Sequence, residues 1–169
     1  MDKHGIVRTD NLYGTDVREG LVSVEYLGSN GSTPTAIDNG NVLKLNGLKT
    51  GEREIFVGAV PAADDAIGDI VLIATPELMY DERLHNLDDY TNEAGKILRG
   101  YRLHKGGAFA VNKLALDGKS TPEVGDVVEL KAGTKLNVAA SATSGSTVVG
   151  AIEAVEATSR YTYYVVRIA

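Results

Sequence analysis

The chain has no cysteine, no tryptophan and only two phenylalanines. Without cysteine there are no disulfides, no thiolate metal sites and no cysteine nucleophile. No stretch approaches the roughly 18 consecutive apolar residues that a membrane-spanning helix needs, so no membrane partner is expected. The opening MDKHGIVRTDNLYGTD has no apolar run of the kind a signal peptide carries. Lys and Arg never form a cluster longer than a pair, and the net charge is -6. The electrostatic footprint of a nucleic-acid binder is therefore missing, and no nucleic-acid partner is expected. Several chemical signatures are also lacking: GxxxxGK[ST] and GxGxxG for phosphates, HExxH for zinc, the EF-hand loop, and GxSxG around a serine nucleophile.

What is present points to strands. Gly is abundant, at 19 of 169 residues, and there are eight Tyr. Plentiful Val, Thr and Tyr suit half-buried pleated surfaces. The length suits one domain, or two very small ones sharing a core. LVSVEYL (21–27) alternates apolar and polar with strand period, EIFVGAV (54–60) reads as a strand, and NVLKLNGLKTG (41–51) as a strand, a turn and the start of another. IGDIVLIAT (67–75) is apolar on both faces, which implies deep burial. AFAVNKLAL follows ILRGYRLHKG, whose KGG marks a bulge or tight turn. DVVELKAG and KLNVAAS form a hairpin-like pair, and VVGAIEAVEA and TSRYTYYVVRIA end the chain. The pattern is all-β: a sandwich or barrel of about nine short strands, spaced roughly eight to twelve residues apart, in two halves. The expected organisation is an N-terminal arm (1–20), a β region (21–76), a helical or loop connector (77–97) and a second β region (98–169).

Three constellations bear on chemistry. In VGDVVEL and IGDIVLI the repeated Asp69 and Asp126 would, read functionally, be a carboxylate pair. The structural reading is stronger: Gly supplies a positive φ at the turn, Asp bonds a downstream backbone N–H, and a buried strand begins. The cluster YDERLHNLDDY (80–90) holds Asp81, Glu82, His85, Asp88 and Asp89. On a helix, Asp81 and His85 would share a face. A metal site wants three or four converging ligands with a second shell, so a solvated face with local ion pairs such as Asp81 or Glu82 with Arg83 is favoured. The same interleaving of Tyr, Leu, Arg and His also suits a protein contact. Tyr161 and Tyr163 share a strand face opposite Thr162 and Tyr164. They would serve either as an aromatic platform for a small ligand or carbohydrate or, as favoured here, in packing or a subunit interface. The histidines, His4, His85 and His104, belong to no recognisable triad. No cofactor is expected, and the chain reads as a protein that is not an enzyme.

The order GDVVEL, GTKLNVAAS, a Ser/Thr/Gly loop, TVVGAIEAVEA and YYVVRIA resembles the β-rich capsid decoration, or cement, proteins of tailed bacteriophages. MYDERLHNLDDYTNEAGKILRGYRLHKGGAFAV resembles phage structural proteins of that kind, so the resemblance covers Leu78 to Ala169. It implies a structural virion protein, made in the host cytoplasm, that binds the outer surface of the major capsid protein lattice. It also implies a homo-oligomer, with a trimer favoured. The candidate partner-binding residues are Lys3, His4, Arg8 and Tyr13 in an arm that orders on binding, and Tyr80, Arg83, His85 and Tyr90 in the connector.

Overall fold

The computed structural model describes residues 3–8, 20–81, 83–84 and 86–169. It is almost entirely β, built as two curled sheets, one a closed barrel and the other a half-barrel. The barrel comprises β1 (Leu21–Tyr26), β2 (Val42–Leu48), β3 (Ile55–Ala59), β4 (Ile70–Ile73) and β5 (Ile97–Arg102). Its order is β1-β3-β2-β4-β5, and β5 closes it by pairing antiparallel with β1, while β1 and β3 run parallel. The half-barrel comprises β6 (Ala108–Asn112), β7 (Leu116–Gly118), β8 (Val127–Glu129), β9 (Leu136–Ala139), β10 (Val148–Ala157) and β11 (Thr162–Ile168). Its order is β6-β11-β10-β8-β9-β7.

The side-chain period of two explains how these sheets join. On β4, Val71 and Ile73 point into the barrel beside Val24, Tyr26, Leu43 and Leu98. Ile70, Leu72 and Ala74 point the other way, into a larger core with Phe109, Val128, Leu136, Val149, Tyr164 and Val166 of the half-barrel. IVLI is apolar on both faces because this strand is the wall between two cores. Backbone bonds reinforce the junction: Val42 N donates to Thr134 O at 2.7 Å and Thr147 N to Ala63 O at 2.7 Å.

The repeated Gly-Asp phrase does open a buried strand in each half, by two different routes. Gly125 has φ +94°, as expected. Asp126, however, accepts from the upstream Glu123 N–H at 2.7 Å rather than from a downstream one, and pairs with Lys119 at 3.0 Å. Ile67–Asp69 instead form a 3-10 turn, in which Gly68 has no positive φ. NVLKLNGL also departs from expectation. It is one strand with a bulge, since β2 slips register against β3 between Leu45 and Leu48. AFAVNKLAL divides into β6, a 3-10 turn at Lys113–Ala115 and β7.

The arm is the larger correction. Residues 3–8 are not a loose extension. Ile6 and Val7 are each 1% exposed, and Val7 bridges Val111 antiparallel. Arg8 N donates to Ala110 O at 3.0 Å and Asn112 N to Ile6 O at 3.1 Å, so the segment covers the free edge of β6. Ile6 faces Ala110, Tyr161 and Tyr163, while Val7 enters the main core. Two adjacent apolar residues, each with a core to fill, hold the segment down. The remainder of the expected arm, residues 1–2 and 9–19, lies outside the described residues.

Candidate interaction surface

The connector leaves the barrel where β4 ends. Pro76 has no N–H to continue a ladder, and the Asn39 side chain takes over the pairing. Its oxygen accepts from Thr75 N at 3.0 Å and its nitrogen donates to Thr75 O at 2.8 Å. At the far end Ile37 and Asn92 exchange backbone bonds at 3.0 and 3.1 Å, and the Asn92 side chain donates to Ile37 O and Asn39 Oδ1. Asp38 gathers the Thr91 hydroxyl at 2.8 Å and His4 Nδ1 at 3.0 Å.

Between these roots the described residues of the connector form a loop with a 3-10 turn, Leu87–Asp89, closed by a capping box of Asn86 and Asp89. The helical alternative fails. Leu78, Tyr80, Leu84 and Leu87 recur at near-helical spacing but stay exposed. A helix of this length gains its stability from burying such a stripe. Asp81 is not in a helix. It accepts a forked bond from Arg83, two residues away, at 3.0 and 2.6 Å. Asp88 is 4% exposed and accepts from the Tyr161 hydroxyl at 2.6 Å, with Arg160 at 3.4 Å. Asp89 pairs with Lys3 and with the Asn86 side chain. The Tyr161 hydroxyl holds the Asp88 carboxyl below the usual carboxylate range, outweighing burial, and Lys3 does the same for Asp89. The acids thus point to separate cationic or hydroxyl partners, and no three His, Cys, Asp or Glu converge among the described residues.

The exposed part is a face. Tyr80 is 96% exposed and Leu78 71%. With Met79, Leu84, Tyr90 and Ile97 they line a groove of about 490 Å³ between the outgoing and returning limbs of the connector. Tyr90 is the groove's half-buried wall. Its hydroxyl donates to Asn92 at 3.2 Å, and burial pushes its pKa up.

The sequence-derived candidates divide accordingly. Tyr80 and Arg83 stand on the open face and Tyr90 lines the groove. Lys3, His4 and Arg8 are instead engaged within the chain by Asp89, Asp38 and Glu156, Lys3 while remaining largely exposed, and the Arg8 guanidinium lies 5.5 Å from the Tyr163 ring centre. Tyr13 and His85 lie outside the described residues. Leu78, Leu84 and Ile97, which line the groove, are not among the sequence-derived candidates. The available signal was leucines at near-helical spacing in a segment otherwise full of charge. Tyr161, Tyr163 and Tyr164 are all buried, so they present no open aromatic platform.

No protein-family model, curated protein or solved structure matches this chain significantly.

Proposed function

We propose that this chain is a capsid decoration protein of a tailed bacteriophage, binding the outer surface of the assembled major capsid protein lattice and stabilising it. The reading is of a protein that acts by binding and has no catalytic step. It functions on the virion exterior after synthesis in the host cytoplasm, as a homo-oligomer, with a trimer favoured. The observation that carries it is the connector face. A nearly fully exposed tyrosine and three exposed aliphatics line a groove, on a loop fixed at both ends to a two-core β body. Aromatic and aliphatic side chains on a backbone anchored at both ends are what a protein interface uses, because less backbone ordering entropy is then lost on binding. The carbohydrate-binding alternative rested on the Tyr161–Tyr164 row, and no observation favours it now that those rings are buried.

The test is co-sedimentation with capsids of the phage that encodes the chain, followed by electron microscopy of the particles. Wild-type protein is expected to saturate the outer surface, and Leu78→Ser with Tyr80→Ser to lose at least about tenfold in affinity, the size of effect expected at an interface hot spot. Folded wild-type protein that leaves the capsids bare would end the proposal. Retained binding by the double variant would move the contact elsewhere on the molecule.

A further inference from the structure

The dipeptide Asn-Gly occurs three times, at Asn30–Gly31, Asn39–Gly40 and Asn46–Gly47. It is prone to ring closure because glycine has no side chain to hinder its own backbone nitrogen as that nitrogen approaches the asparagine carboxamide. The fold protects two of the three. The Asn30 side-chain oxygen accepts from Ser32 N and Thr33 N at 3.0 and 3.1 Å, its nitrogen donates to Thr33 Oγ1, and Gly31 N–H donates to Gly28 O. Asn39 is buried and spans Thr75 in both directions, while Gly40 N–H donates to Ile73 O at 2.8 Å.

The Asn46 side chain has none of this, and Asn46 and Gly47 are placed differently. Both are exposed. They fall in the β2 bulge, where neither has a partner residue in β3, and the pairing with β4 has already ended at Lys44. Gly47 has φ +89°, and a methyl group placed on it would meet nothing within 4 Å. No hydrogen bond engages the Asn46 carboxamide among the described residues.

We propose that Asn46 is a self-modification site of the folded protein, converting to aspartate and isoaspartate with solvent water as the only co-reactant. The Gly47 backbone nitrogen bonds to Asn46 Cγ. The Cγ–N bond of the carboxamide breaks, and ammonia leaves carrying the Gly47 amide proton. Water then opens the resulting succinimide at either carbonyl. The product is one charge more negative than the present -6. Its extra backbone carbon in the isoaspartyl form falls where the β2–β3 ladder is already interrupted, so the fold survives. This inference is independent of the proposed capsid role.

The experiment is timed incubation of folded protein at mildly alkaline pH, followed by peptide mapping by mass spectrometry and enzymatic methylation of isoaspartate. Amide-to-acid conversion is expected at Asn46, about tenfold or more faster than at Asn30 or Asn39, whose reaction requires local opening. In denaturant the three rates are expected to converge, and Asn46→Gln is expected to abolish the dominant product. Equal rates at the three sites in folded protein would overturn the proposal. So would an Asn46 that stays intact when folded yet reacts when unfolded.

Discussion

Single buried carboxylates do much of the fastening, and each is kept ionised by donors aimed at it. Glu129 is 1% exposed; burial alone would raise its pKa, but the Thr143 hydroxyl and N–H at 2.6 and 2.8 Å and Asn137 at 2.8 Å bring it below the usual range. The same carboxylate pins the Ser141–Thr147 loop. Asp88 does the equivalent work for the connector through Tyr161. Its folded pKa is depressed by that hydroxyl. Its stabilising contribution is therefore complete above its unfolded pKa, near 4, and is lost as pH falls through the folded value. Tyr161→Phe is expected to lose about 2 kcal/mol at neutral pH, with the gap to wild type closing as acid protonates Asp88. Urea denaturation at a series of pH values would measure this, and a gap constant through the acid range would assign the loss to packing. The alkaline side has the opposite sign. Burial, then Asp88, raises the Tyr161 pKa, so stability holds below about 10 and is lost as pH rises through the folded value, a loss that Tyr161→Phe lacks.

Two elements carry the next predictions. If residues 3–8 were a loose arm, truncating its apolar pair would cost nothing. Packed as they are, Ile6→Ala with Val7→Ala should cost about 4 kcal/mol in chemical denaturation. Where β10 crosses β11, a methyl group on Gly150 would run into the Arg167 carbonyl and lie 2.8 Å from its carbon. Gly150→Ala should therefore cost about 3 kcal/mol, because backbone rather than a side-chain tip has to move. These elements also mark what could be read in advance. LVSVEY and IVLI announce strands because alternation and two-sided apolarity are written in neighbouring residues. The closure of β5 on β1 and the parallel β1–β3 pair are invisible there, since register is chosen between distant segments. The exposed connector face was half legible for the same reason. Tyr80 and Arg83 could be picked from local composition. The pairing of Lys3, His4 and Arg8 depends on acids 34 to 148 residues away. The connector's leucines mimic a buried helical stripe, and only their exposure in the fold shows otherwise.

At the scale of the whole molecule, the question is whether barrel and half-barrel unfold apart. Their interface is the main core, to which the barrel supplies Val42, Ile70 and Leu72 and the half-barrel Phe109, Val128, Leu136 and Val149. β4 serves this core and the barrel interior at once, so losing the half-barrel would expose one face of the strand that fills the barrel. Each sheet thus holds apolar surface that only the other covers, and burial of that kind couples units into one transition. A single cooperative unfolding is expected. The chain provides its own reporters, having no tryptophan to mask its tyrosines. Tyr26 lies inside the barrel, and Tyr161 and Tyr163 lie behind the half-barrel sheet. Tyrosine fluorescence of a variant with Tyr13, Tyr26, Tyr80, Tyr90 and Tyr101 changed to Phe, which reports the half-barrel, should share its denaturation midpoint with that variant's far-ultraviolet circular dichroism, and so should that of a variant with Tyr13, Tyr80, Tyr90, Tyr161, Tyr163 and Tyr164 changed to Phe, which reports the barrel. Residues 98–169 expressed alone should give a circular dichroism spectrum without strand structure. A half-barrel that folds alone, or optical signals that separate within one variant, would make the two sheets independent domains and would remove the rigid base on which the exposed connector is held.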